Sequence, residues 1–312
     1  MIEKINISGV DDSLSQIKNK SSKETVKSIS GKKIAISVSI NEDLERNGLS
    51  EQHINDISIE IARYIISNGG TGLYGGDLRN GGFTKYFSEL SNQYKIENDR
   101  TFRFVNYFPF PNFKEITSEI QIEFKSKQIK PEILPLPKVL KGIDTNKEFN
   151  PFNNCEDRYI YSECFKEMRI KMAKDCHARI IVCGKIQNYL GYIPGVIEEA
   201  LYTLLEKKPL YLVGGFGGAS EKLIKLIKGE EVKELTNDFQ YNTDFLKNYK
   251  DFIKEKYNYH DYEFLKNEIS NFDVQKISKL NKLSVEENEI LFSSRNVHEI
   301  LYLIMKGLRC ID

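Results

Sequence analysis

The strongest constraint on the fold is a regular alternation of short apolar segments with longer amphipathic ones. The short segments are rich in β-branched and aromatic side chains and predict strands at 33–39, 71–74, 102–107, 178–183 and 209–213. The amphipathic segments predict helices at 50–67, 83–93, 156–176, 194–206 and 219–228. Strands that alternate with helices of this length form a parallel sheet covered on both faces. We therefore predict an α/β three-layer sandwich with a mainly parallel sheet.

The chain is expected to form a single domain over 31–312, after a polar N-terminal arm of residues 1–30. Its core spans 32–228, and a charged, helical C-terminal part covers 236–312, closing with an amphipathic helix near 296–307. The stretch 112–155 is less regular. Residues 120–124 alternate strictly and 131–137 are punctuated by proline, so neither a long helix nor a central strand fits there.

Composition limits the classes of partner. Lysine and arginine total 45, equal to aspartate and glutamate, so no global field favours nucleic acid. The longest apolar runs, such as 180–183 and 210–213, are too short to span a bilayer, and residues 1–33 lack a signal-peptide core. Five cysteines without CxxC spacing suit reduced thiols. We expect a cytoplasmic protein with no cofactor, no metal site, no membrane contact and no specific nucleic acid.

Glycine is concentrated in residues 69–84, where it supplies seven of sixteen positions. Glycine is used where a backbone must approach a ligand closely or adopt positive φ. One acid and one base, Asp77 and Arg79, stand in the same stretch, and together with backbone amides they suit a ribose-phosphate ligand. The alternatives are a tight turn that packs on the next helix, and a surface ion pair between Asp77 and Arg79 that contributes little.

Two further loops, 184–195 and 214–218, also follow predicted strands and contain glycine. In open parallel sheets, ligands bind at the carboxyl ends of the strands near the switch point of strand order. We therefore expect all three loops to line one cleft. The residues predicted to contact ligand are Gly75, Gly76, Asp77, Arg79, Gly81, Gly82, Thr84, Gly184, Gly191, Gly195, Gly214, Gly215, Gly217 and Gly218.

One literal motif is misleading. Residues 70–75, Gly-Thr-Gly-Leu-Tyr-Gly, match the GxGxxG fingerprint of dinucleotide-binding proteins. The match runs through a predicted strand, whereas the fingerprint joins a strand to a helix. We therefore exclude an NAD-dependent dehydrogenase of the usual kind.

Several longer segments resemble the SLOG superfamily, which is named for the Smf/DprA and LOG proteins, and in particular its prokaryotic sensor-type branch. The resembling segments are Ile36-Ser-Val-Ser-Ile with Leu49-Ser-Glu, Tyr74 to Thr84, Met168 to Gly184, Gly191 to Ala200, and Lys208 to Gly218. The resemblance implies a Rossmann-like sheet that binds nucleotides or nucleotide-derived ligands.

LOG-type members of this superfamily are phosphoribohydrolases that cleave the N-glycosidic bond of a nucleotide. The resemblance places Arg169 at the position of their arginine and Glu199 at the position of their glutamate, with Glu198 adjacent. An arginine can hold a phosphate bidentately, and a carboxylate can stabilise a ribosyl oxocarbenium ion. Acids in a first helical turn are also favoured by the helix dipole alone. Residues 191–195 depart from the compact Pro-Gly-Gly-x-Gly-Thr turn of these enzymes, so hydrolysis is the alternative expectation.

Other members that this chain resembles are receptors, often fused to TIR effector domains in antiviral defence systems. The resemblance implies that the protein senses a nucleotide-derived signal, such as ADP-ribose, a cyclic form of it or an NAD derivative. We expect a homo-oligomer, as is common among relatives, which acts with a separate effector protein.

Overall fold

The computed structural model describes residues 29–311 except 77, 79–81, 97, 98, 100, 257 and 258. The predicted N-terminal arm lies almost wholly outside the described residues. So do three residues predicted to contact ligand, Asp77, Arg79 and Gly81.

Six strands form one sheet in the order β4-β3-β2-β1-β5-β6. The strands are β1 (Lys33–Ser39), β2 (Thr71–Gly75), β3 (Phe104–Phe108), β4 (Ile129–Ile133), β5 (Ala178–Cys183) and β6 (Leu210–Val213). Every neighbouring pair is parallel, which confirms the predicted sheet. The chain runs outward from β1 through β2 and β3 to β4, then returns to the other side of β1 for β5 and β6. The switch point of strand order therefore lies between β1 and β5.

Twelve α-helices occur in the described part of the chain. They are α1 (Glu51–Ser67), α2 (Phe83–Gln93), α3 (Ser118–Ser126), α4 (Cys155–Asp175), α5 (Gly195–Leu205), α6 (Gly218–Ile227), α7 (Asn237–Gln240), α8 (Asp244–Lys254), α9 (Tyr262–Ile269), α10 (Val274–Asn281), α11 (Val285–Ser293) and α12 (Val297–Cys310). The helices predicted between strands and the closing C-terminal helix are confirmed. None of the described helices is both long and apolar enough to cross a membrane.

Alternation along β1 directs side chains to two cores. Ile34, Ile36 and Val38 face one side of the sheet, where they share a core with apolar residues of α1, α2, α3 and α12. Ala35 faces the opposite side and packs with Met168 and Met172 of α4. Helices α5, α6 and α8 to α10 extend that second side. Both faces of the sheet are covered, as expected for an all-parallel sheet.

The glycines of the misleading fingerprint serve packing. A Cβ on Gly72 would lie 2.1 Å from the Phe104 ring, and one on Gly70 would lie 3.0 Å from a methyl group of Ile65. Phe104 in turn stacks on Phe87 with ring centroids 5.1 Å apart. Strand β2 is therefore glycine-rich in part because aromatic side chains of β3 and α2 cross its surface.

The irregular middle of the chain contains a short helix and an edge strand, in agreement with the exclusion of a long helix or a central strand. The strict alternation of residues 120–124 lies in α3, which Thr117 caps by accepting a hydrogen bond from the Ile120 amide. Strand β4 contains Pro131 and pairs only with β3. An edge strand tolerates proline because one side of its ladder needs no donor.

Candidate functional site

A cavity of about 550 Å³ opens at the carboxyl ends of β1, β2 and β3, beside the switch point. It is lined by Val38, Ser39, Gly75, Gly76, Leu78, Phe108, Asn112, Glu115, Phe152, Phe165, Met168, Arg169, Lys185, Asn188, Tyr189, Leu190, Gly195, Val196 and Glu199. We call it the switch-point cavity. Its size falls in the range of small-molecule sites, and its position is where open α/β sheets bind ligands.

Two predicted glycines form one wall of this cavity. A Cβ on Gly75 would lie 3.2 Å from Met168 Cε and 3.6 Å from Glu199 Oε1, so the β2 backbone directly faces the glutamate. A Cβ on Gly76 would lie 2.6 Å from the Phe108 ring. Gly76 is thus required by packing even without a ligand, whereas Gly75 keeps the approach to Glu199 open.

The remainder of the first glycine-rich loop contributes less to the cavity. Gly82 is the N-cap of α2, and Thr84 is buried in the first turn of that helix. Neither residue is among those that line the switch-point cavity. Contact of Gly82 and Thr84 with ligand stays a prediction.

Glu199 is held by a buried polar network at the base of the cavity. Its Oε2 accepts a hydrogen bond from Arg179 Nη1 at 2.8 Å and a short one from Ser37 Oγ. Arg179 is fully buried and also donates from Nε to Thr203 Oγ1 at 2.7 Å. The Glu199 side chain is 12% exposed, and no described residue donates a hydrogen bond to its Oε1. One carboxylate oxygen is therefore anchored, and the other receives no hydrogen bond from the part of the chain that the structure describes.

Arg169 and Glu198 form a second buried ion pair. Arg169 Nη1 donates a short hydrogen bond to Glu198 Oε2, and the Glu198 side chain is fully buried. Glu198 Oε1 accepts from Tyr202 Oη at 3.2 Å. Burial raises the pKa of the Glu198 carboxyl, and the Arg169 guanidinium opposes that shift. Arg169 still lines the cavity, and its Nε has no hydrogen-bond partner in the described structure.

The glycines at 191 and 195 make room for this arginine. A Cβ on Gly191 would lie 2.6 Å from Arg169 Nη1, and a Cβ on Gly195 would lie 2.6 Å from Arg169 Nη2. The loop before α5 therefore packs so closely on the guanidinium that a side chain at either position would have to displace it. The sequence-predicted residues Gly191, Gly195, Arg169, Glu198 and Glu199 are thus brought together.

The second glycine loop, 214–218, is placed differently. A Cβ on Gly214 would lie 2.3 Å from the Phe292 carbonyl oxygen, and one on Gly215 would lie 2.0 Å from the Ser294 carbonyl oxygen. Gly217 and Gly218 have φ of +74° and +66°, which favours glycine irrespective of a ligand. None of these four lines the switch-point cavity. The backbone at the carboxyl end of α11 accounts for the glycines at 214 and 215, and ligand contact by the loop stays a prediction.

Gly184 also has a packing role. A Cβ there would lie 2.8 Å from Ala219 Cβ and 3.0 Å from Val196 Cβ, so Gly184 allows α5 and α6 to meet at the end of β5. The next residue, Lys185, lines the cavity and anchors its backbone amide on Ser39 Oγ at 2.9 Å.

Sequence reasoning missed Arg179, Ser37, Lys185 and Tyr189 as site residues. Arg179 carried a usable signal, because a charged side chain interrupts an otherwise apolar predicted strand. The other three carried none, since their role depends on contacts between distant segments. Within the described residues, no group of three or more His, Cys, Asp and Glu side chains is placed to hold a metal ion.

Comparison with solved structures finds a weak likeness to the X-ray structure of TM1055, a structural genomics target. The TM-score is 0.36 at 16% sequence identity, over 65% of this chain and 84% of that one. No curated protein matches the chain. The family model described as SLOG cluster2 matches residues 28–291, which cover β1 to β6 and the cavity. This chain therefore belongs to the SLOG family, in the group described as SLOG cluster2.

Proposed function

We propose that the protein binds a nucleotide or nucleotide-derived ligand in the switch-point cavity, and that it acts as a receptor in a bacterial defence or stress system. The observation that carries the proposal is the placement of Glu199, with one oxygen anchored and one available, in a cavity at the carboxyl ends of the strands. SLOG family membership supports nucleotide-related binding.

The chemistry of the cavity suits a ribose-phosphate group. A carboxylate oxygen such as Glu199 Oε1 accepts hydrogen bonds from ribose hydroxyls. The amino end of α5 can bind a phosphate, because the helix begins at Gly195 with no side-chain cap and its first backbone N–H groups have no partner within the helix. Lys185 adds a positive charge that forms no ion pair with any described residue. Phe152 and Phe165 supply apolar surface for a base.

Hydrolysis of an N-glycosidic bond is the second candidate, because Glu199 faces the same cavity. The structure supports it less well than binding. Arg169, the residue expected to hold the phosphate, is occupied by the fully buried Glu198. This pair commits Arg169 Nη1 and fixes the guanidinium in place, so a phosphate would have to be held by its remaining donors, such as Nε.

Isothermal titration against ADP-ribose, its cyclic forms, NAD and mononucleotides tests the proposal. We expect at least one of these ligands to bind, and Glu199→Gln to weaken its affinity about tenfold or more. Glu206→Gln is the matched control, since Glu206 is exposed at the end of the same helix. Absence of binding to every member of the panel would contradict the proposal.

The same protein preparations separate a receptor from an enzyme. We expect chromatography of the incubated nucleotides to show no free base. Release of base that is abolished by Glu199→Ala and by Arg169→Ala, but not by Glu206→Ala, would establish the hydrolase instead.

As a receptor, the protein is proposed to work as a cytoplasmic homo-oligomer together with a separate effector. Light scattering coupled to size-exclusion chromatography, with and without the bound nucleotide, tests the oligomeric part. A monomer under both conditions would rule that part out.

A further inference from the structure

A second, smaller cavity adjoins the switch-point cavity. It has a volume of about 180 Å³ and lies between the loop before α5 and helix α8. Phe152, Asn188 and Tyr189 line both cavities, so the two compartments share a wall. At roughly 30 Å³ per water molecule, the smaller one has room for a functional group larger than a single water.

Arg158 lines this second cavity and is 8% exposed. Its Nη2 donates to the Tyr189 carbonyl oxygen at 2.9 Å, while its Nε has no hydrogen-bond partner. The guanidinium also lies 5.2 Å from the centroid of the Tyr249 ring. A cation in this first turn of α4 is disfavoured by the helix dipole, so helix stability does not explain it.

No carboxylate among the described residues neutralises Arg158. The acidic neighbours on its own helix, Asp157 and Glu163, are paired with Lys147 and Lys166. Buried charges in folded proteins are paired or bind an ion. The missing counter-charge therefore points to a ligand.

A second donor lies in the same cavity. Tyr241 is 6% exposed, and its hydroxyl has no hydrogen-bond partner in the described structure. Burial raises the pKa of Tyr241, so the phenol stays protonated and can donate. Arg158 Nε and Tyr241 Oη thus both lack an acceptor.

We propose that the second cavity, which we call the Arg158 cavity, binds a phosphoryl group of the same ligand whose ribose occupies the switch-point cavity. This inference rests on the proposed function and narrows it. The expected ligand is then a nucleotide with a second phosphoryl group beyond the first ribose-phosphate. That second group extends past Tyr189 into the Arg158 cavity. A mononucleotide fills only the first compartment.

Calorimetric titration of the full chain with AMP, ADP-ribose and inorganic pyrophosphate tests this inference. We expect ADP-ribose to bind more tightly than AMP. Arg158→Gln should weaken ADP-ribose binding about 10- to 100-fold, as for loss of a charged hydrogen bond, and should change AMP affinity less than twofold. Arg46→Gln, at an arginine that is 83% exposed, is the control.

Tyr241→Phe removes only the hydroxyl and keeps the ring, so it provides a second variant if Arg158→Gln fails to fold. It should weaken ADP-ribose binding about three- to tenfold with no change for AMP. Equal losses for both nucleotides, or no loss for either, would overturn the inference while leaving the proposed function intact.

If no nucleotide binds the wild-type protein, the proposed function fails, and pyrophosphate then tests the Arg158 cavity alone. If the wild type binds pyrophosphate and Arg158→Gln or Tyr241→Phe abolishes that binding, the result supports an anion site in the Arg158 cavity. If the wild type and both variants give identical pyrophosphate titrations, the proposal of an anion site in the Arg158 cavity is wrong.

Discussion

Replacing Arg179 by methionine tests the buried network that anchors Glu199. Methionine keeps an unbranched apolar stem but removes every donor, which leaves Glu199 Oε2, Ser37 and Thr203 without the guanidinium they now contact. Removing one member of a buried ion pair costs about 3–5 kcal/mol. Because Glu199 is 12% exposed at the cavity, water can solvate it in part, and we expect a loss of about 3 kcal/mol in the free energy of unfolding.

The double variant Arg179→Met with Glu199→Gln separates the ion pair from general damage. Glu199→Gln alone leaves the fully buried Arg179 without its counter-charge but keeps an oxygen that accepts its hydrogen bond, so it should cost less, about 2 kcal/mol. In the double variant the uncompensated charges disappear together, so its loss should be smaller than the sum of the single losses by about 1.5 kcal/mol or more. Urea denaturation followed by circular dichroism measures all four proteins. Additivity within about 0.5 kcal/mol would show that the pair does not couple.

Three further perturbations address other parts of the structure. Gly195→Ala places a Cβ 2.6 Å from Arg169 Nη2, so it should displace the guanidinium. We expect a loss of about 1–3 kcal/mol in the free energy of unfolding and weaker nucleotide binding. Unchanged nucleotide affinity would contradict a role of Gly195 in positioning Arg169. Gly215→Ala meets the Ser294 carbonyl oxygen at 2.0 Å, so urea denaturation should show a loss of about 2 kcal/mol or more, whereas titration of the folded protein should give wild-type affinity. Burial lowers the pKa of His260 to about 4. His260 therefore takes up a proton near pH 6.5 in the unfolded chain but only near pH 4 in the folded protein. Its contribution to the free energy of unfolding is complete above pH 6.5 and falls by up to about 3 kcal/mol as the pH drops from 6.5 to 4. His260→Gln should flatten this dependence in thermal melts, and an unchanged profile would rule out His260 as its source.

The sheet and most helices could be predicted because local chemistry fixes them. Strand β5 reads as an almost continuous apolar run, as expected for a strand buried on both faces. Helix α1 begins at Glu51, directly after Ser50, and serine is a residue type that favours the N-cap position. Residues 120–124 show no helical periodicity because α3 buries only Phe124, and Ile122 is 70% exposed. A helix with one buried residue carries no readable period.

The candidate site was only partly predictable. Arg169, Glu199 and Gly195 stand in recognisable segments and line one cavity, and Gly191, in the same loop as Gly195, packs against Arg169. Arg179 reaches Ser37 across 142 positions of sequence, a contact that no local pattern encodes.

The loop at 214–218 shows how one glycine pattern can have two explanations. Its glycines imitate a phosphate-binding loop, since they follow a strand and open a helix. At Gly214 and Gly215, however, the close neighbour is backbone near residues 292–294, almost eighty positions further along the chain. Glycine-rich sequence therefore marks close approach without saying whether the approaching group is a ligand or the protein itself.

A crystal structure of the protein with the tightest-binding nucleotide of the titration panel tests the central proposal most directly. We expect the ribose within hydrogen-bond distance of Glu199 Oε1 and a phosphate at the amino end of α5, inside the switch-point cavity. Nucleotide bound at another surface, with Glu199 making no contact to it, would contradict the proposal.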